Sequence, residues 1–131
     1  MKRLTIILSV LTVLAIVPAA LAAGGPTGKW KTTISGKKVL GGHVDGSWTV
    51  DFTSARYMVT WNGKTVLHGV YTVTGSDMSL TDKSGEVKCP GTGTYTFKVN
   101  AEKLTLKKIK DSEACAGRIA VLTTHPLTKV S

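Results

Sequence analysis

An all-β domain, folded as an eight-stranded up-and-down antiparallel β-barrel with one disulfide, is what this sequence predicts. Three observations carry that reading. After residue 27, apolar side chains recur at every second position in about eight separate stretches, the period of a strand with one buried face. Most connections between the stretches are short, which suits sequential hairpins better than the long crossovers of a two-sheet sandwich. No amphipathic helical stretch stands out beyond the leader, and closing a meander pairs the two edges that otherwise invite aggregation.

The first strand runs from Lys29 to Ser35, with Trp30, Thr32 and Ile34 facing in. Gly28 lets the chain turn into it, and Trp30 offers the largest apolar surface for a barrel floor. Gly36 to Gly46 is a Gly/Lys-rich connection holding Val39, Leu40 and His43, long enough to fold over a barrel mouth. Ser47 to Thr53 turns Trp48, Val50 and Phe52 inward, and Arg56 to Asn62 does the same with Tyr57, Val59 and Trp61. Asn62-Gly63 is the strongest hairpin signal in the chain. Lys64 to Thr74 faces Leu67, Gly69, Tyr71 and Val73 inward, with Gly69 marking a bend or bulge.

Gly75-Ser76-Asp77 turns into Met78 to Asp82, where Met78 and Leu80 point in. Lys83 to Gly91 is a polar connection carrying Cys89-Pro90. Thr92 to Asn100 alternates through Tyr95, Phe97 and Val99, and Lys103 to Ile109 through Leu104 and Leu106. Asp111 to Ala116 reads as a loop with Cys115. Gly117 to Thr124 reads as the last strand, with Ile119 and Val121 apolar and Pro126 stopping it. The first and last strands of a closed barrel are neighbours, so the Arg118 guanidinium is expected over the Trp30 indole.

The chain opens with the pattern of a cleaved signal peptide over residues 1–22. Lys2 and Arg3 precede an apolar run from Leu4 to Val17, Pro18 breaks it, and Ala20-Leu21-Ala22 fits the small-x-small rule. Residues 23–131 then form one domain, exported to the periplasm or beyond, with no further run long enough to span a membrane. Removing Lys2 and Arg3 from the 17 basic residues leaves 15 against 8 acidic ones, a formal charge of +7. That suits a solvated surface, or attraction to an acidic partner or anionic surface.

Cys89 and Cys115 are the two cysteines, and export makes their pairing the default. In an up-and-down barrel the loops before the sixth and eighth strands emerge at the same end, so the sulfurs can meet across one mouth. Asp111 is then placed to pair with Arg118.

Thr27-Gly28-Lys29-Trp30, the meander and the late Arg118 resemble the calycin group of barrels, which includes lipocalins. There a Gly-x-Trp opens the first strand and a late arginine packs across the tryptophan; Gly28, Trp30 and Arg118 match those positions. The wider pattern is similar to small bacterial exported lipocalin-like proteins, through Gly69-Val70-Tyr71-Thr72-Val73, Leu80-Thr81-Asp82, Cys89-Pro90, Leu104-Thr105-Leu106 and Asp111…Cys115…Arg118. The helix that typically follows the barrel in lipocalins is not visible. Small periplasmic metalloprotease inhibitors share the Gly-x-Trp barrel and a disulfide and insert an N-terminal trunk into the protease; residues 23–27 stand in that place.

No catalytic constellation emerges. His43, His68 and His125 have no metal-ligand spacing, no nucleophile motif occurs, and Asp82 and Glu86 are assigned to a loop. The expectation is a monomeric non-enzyme without metal or cofactor, and with no nucleic-acid partner. Its ligand, small and hydrophobic or amphipathic, would meet Trp48, Phe52, Tyr57, Trp61, Tyr71, Tyr95 and Phe97. The alternative is a solid barrel acting through its surface on a protease or an anionic surface.

Overall fold

The structure, a computed structural model, describes residues 25–131; the signal-peptide reading of residues 1–22 lies outside them. Eight antiparallel strands close into a barrel in chain order. They are β1 (Gly28–Ile34), β2 (Gly46–Thr53), β3 (Arg56–Trp61), β4 (Lys64–Thr74), β5 (Asp77–Ser84), β6 (Thr92–Asn100), β7 (Lys103–Lys110) and β8 (Leu127–Lys129). A helix, α1 (Ala116–Thr123), lies between β7 and β8. Among the described residues no helix is long and apolar enough to cross a membrane.

The inward positions are those that alternation selects. Trp30, Thr32, Ile34, Trp48, Val50, Phe52, Tyr57, Val59, Met78, Leu80, Tyr95, Leu104 and Leu106 are buried. Val99 departs from the pattern: at the far end of β6 it is exposed. Gly69 sits at a register shift between β4 and β5 and is paired with Tyr57 on β3. A Cβ at Gly69 would collide with the Tyr57 ring, so the glycine is there to let the aromatic cross the strand. Gly28 has φ +98°, and a Cβ on it would lie 2.6 Å from the Ser131 carbonyl oxygen. Its role is close approach of the C-terminal segment as well as a turn.

The expected last strand is corrected. Gly117 to Thr124 is helical, and the closing strand is the three-residue β8 after Pro126. Ile119 and Val121 mimic a period of two, but the buried residues are the consecutive Ala120, Val121 and Leu122. Arg118, Val121 and Leu122, at i, i+3 and i+4, share one face towards the barrel. Ala116, Ala120 and Leu122 favour a helix. Ser112 starts the segment by accepting the Ala114 N–H on its hydroxyl, and Pro126 ends the possibility of continuing it.

Of residues 23–27, the described ones are 25–27. Pro26 is fully buried, and Gly25 lies beside Tyr71 and Val73. Residues 25–27 pack onto the barrel end that also carries Trp30 and Phe97.

Candidate functional site

The two barrel ends are built differently. At the end holding the chain termini, Trp30, Phe52 and Tyr71 fill the interior. The Phe52 and Tyr71 rings meet edge to face at 5.1 Å, and the Tyr71 hydroxyl donates to the Thr53 carbonyl at 2.7 Å. Lys129, in register with Trp30 on the neighbouring β8, sets its ammonium 5.7 Å from the Trp30 ring centroid. The cation expected over Trp30 is therefore present, but it is Lys129. The Trp30 Nε1 is buried without a partner.

Arg118 instead works at the opposite end, as the centre of a buried polar cluster. Its Nε donates to Asp111 Oδ2 at 2.9 Å and its Nη2 to Asp111 Oδ1 at 2.8 Å, a bidentate pair. Nη2 also reaches the Gly91 carbonyl at 3.4 Å, and Nη1 faces Asp82 Oδ1 at 3.4 Å without a hydrogen bond. Asp82 accepts the Tyr57 hydroxyl on Oδ1 and the Cys89 N–H on Oδ2 at 3.0 Å. Asp111 accepts the Tyr95 hydroxyl and the Ser112 N–H. Cys89 and Cys115 are bonded, their Cα atoms 5.4 Å apart. The bridge ties the β5–β6 connection to the start of α1, at one barrel end as expected, although the second anchor leads into a helix.

Asp82, expected both as the end of the Met78 to Asp82 strand and with Glu86 in a loop, belongs to the strand. It is buried on β5 and follows Met78 and Leu80 on the inward face, rather than lying in a loop.

Burial pushes the Tyr57 and Tyr95 hydroxyls above their ordinary range, and the carboxylates they donate to add to it. Burial alone would raise Asp111, but the hydrogen bonds from Arg118, Tyr95 and Ser112 more than offset it and hold the carboxyl below its usual value. Burial would likewise lower Arg118, yet Asp111 first and Asp82 after it raise it. Arg118 Nη1 is the one member of the cluster without a hydrogen bond. Both carboxylates accept hydrogen bonds, Asp82 from Tyr57 and Cys89, Asp111 from Arg118, Tyr95 and Ser112.

Above this cluster is a cavity of about 140 Å³. Its walls come from the barrel (Trp48, Val59, Leu80), from Val44 in the connection after β1, and from Val121 and Leu122 of α1. Trp48 and Trp61 stack at 4.7 Å with an interplanar angle of 10°. Their indole N–H groups are both engaged, Trp48 with the Val44 carbonyl at 2.8 Å and Trp61 with that of Asp45 at 2.9 Å. These bonds fasten the residue 36–46 connection over the mouth.

Of the seven aromatic residues expected at a ligand, Trp48, Tyr57 and Trp61 line this cavity. Phe52 and Tyr71 belong to the filled end, Tyr95 to the polar cluster, and Phe97 to the rim beside Trp30 and Pro26. Val44, Asp82, Arg118, Val121 and Leu122 were not among the residues expected to line a ligand site. Comparison with protein families, with curated proteins and with solved structures found no match to this chain.

Proposed function

We propose that this chain is an exported, non-enzymatic, lipocalin-like barrel that holds a small apolar molecule beneath α1. The observation that carries the reading is the cavity of about 140 Å³ between α1 and the barrel wall. A solid barrel would have filled that space with side chains, as the opposite end does. The stacked Trp48–Trp61 pair in the wall supplies a built-in reporter. Titrating purified protein with a panel of small apolar compounds should quench or shift tryptophan emission saturably. An emission spectrum unchanged by every member would end the reading. Export predicts that protein recovered outside the cytoplasm begins at residue 23.

A second reading is favoured by a specific surface. Lys98, Lys103, Lys107, Lys29 and Lys31 stand on the outer face of β6, β7 and β1, bridged by Thr128 of β8, and all five are exposed or half-exposed. None of the five forms a salt bridge within the described residues. Such a face suits an anionic surface. Binding to vesicles rich in phosphatidylglycerol that weakens steeply with salt would support it; indifference to salt would count against it.

A further inference from the structure

We infer that the occupant of the cavity beneath α1 is a neutral molecule about one ring in size, and that carboxylate-bearing chains such as fatty acids are excluded. This rests on the pocket reading above and narrows it.

Size comes first. An engineered apolar cavity of about 150 Å³ takes benzene; this one is about 140 Å³. It is well short of the roughly 300 Å³ or more of a site for a drug-sized ligand. Growth is blocked on three sides. Val121 and Leu122 close the top, and the disulfide and the Arg118–Asp111 pair hold their helix. The indole hydrogen bonds pin the 36–46 connection over the mouth. Below, the filled aromatic end occupies the barrel.

Charge comes second. A carboxylate entering the pocket needs donors, and nearly all are already engaged. The Tyr57 hydroxyl donates to Asp82, and the two indole N–H groups donate to backbone carbonyls. Two donors are left: the His43 imidazole, exposed at the rim, and Arg118 Nη1, buried at the floor, which lies against Asp82 Oδ1. Arg118 brings one formal positive charge, and Asp82 and Asp111 two negative ones. An anion there would be desolvated next to a net negative cluster. A neutral ring needs no donor and meets walls that are mostly Val, Leu and Trp.

The test uses the whole protein with three probes: toluene, benzoate and dodecanoate. Methyl NMR shifts at Val59, Val121 and Leu122 report occupancy. Toluene should bind at least about 100-fold more tightly than benzoate, and dodecanoate should leave these methyls unmoved. Benzoate or dodecanoate matching toluene would overturn the inference. If dodecanoate moves the methyls and toluene does not, the inference fails while the pocket itself stands. If all three are silent, the pocket reading falls with it. Gly117→Phe gives a second arm. Gly117 lines the cavity, and a Cβ placed on it would lie 3.9 Å from Val44, so a ring there takes the ligand's space. The folded variant should lose toluene affinity by at least about tenfold; unchanged affinity would place toluene elsewhere and defeat the inference.

Discussion

The two ends of this barrel solve the same problem, how to stop water entering, by opposite means. At the terminal end the interior is plugged by Trp30, Phe52 and Tyr71 and backed by the buried Pro26. At the other end a helix is laid across the opening and held by a disulfide and a buried ion pair, with space left beneath it. The plugged end relies on apolar volume. The lidded end relies on covalent and electrostatic constraint and keeps a cavity. A helix of eight residues cannot hold itself in place by propensity, so its tethers are what make the cavity possible.

The strongest way to break this contrast is at the plug. Trp30→Ala should cost about 4 kcal/mol and lower Tm by more than about 10 °C, because it removes the largest fully buried side chain. Thermal unfolding followed by circular dichroism reads it, and a fall of only a degree or two would show that the plug is not the main prop.

Asp111→Asn attacks the lid, and should cost about 3 kcal/mol because Arg118 loses its bidentate partner in a buried setting. The pH dependence sharpens this. Folded Asp111 has its pKa held below the unfolded value, so the unfolded chain binds the proton more readily. The stabilisation is present above about pH 4 and drains away as pH falls towards the folded pKa. Acid unfolding that is equally steep in Asp111→Asn would contradict the assignment. At alkaline pH the sign reverses. All three tyrosines have raised pKa values, burial being the first cause in each. Their stabilisation is present below about pH 10 and is lost above it, so tyrosinate absorbance should rise only with unfolding.

Replacing Cys89 and Cys115 together by serine should cost roughly 3 kcal/mol, and amide exchange should speed up in α1 before it does in β1 to β3. Uniform acceleration would mean that the bridge stabilises the whole chain rather than its lid. Lys64→Ala marks the bottom of the scale. Its bridge to Glu86 is short, at 2.6 Å, but the two side chains are 68% and 62% exposed, against 6% and 1% for Arg118 and Asp111. A change under about 0.5 kcal/mol is expected, because solvent screens what geometry offers.

Much of the barrel was legible because strand alternation is local. Trp30, Trp48, Tyr57 and Leu104 announce their faces through their immediate neighbours, and the bulge at Gly69 is marked by the residue itself. The helix was hidden because Ile119 and Val121, two residues apart, mimic a strand in so short a window, and only the burial of Ala120 and Leu122 on either side of Val121 decides against it. Asp82 was within reach: Met78, Leu80 and Asp82 share one parity, and the charge of the third obscured it. The cavity was not legible. It depends on where α1 and the residue 36–46 connection come to rest, and no local pattern encodes that distance.

The three-residue β8 has a consequence of its own. It matches β1 through two residue pairs and β7 through two, with the Lys29 N–H also donating to the Ser131 carbonyl. Neighbouring seams run to seven pairs. Residues 127–131 thus form the shortest slat of the barrel, anchored at one end by the fully buried Leu127. If they lift, β1 and β7 become unpaired edges that accept the same slat from another molecule. Domain-swapped dimers joined through the Pro126 hinge would then form first at high concentration or under mild heating, without the barrel itself having to unfold.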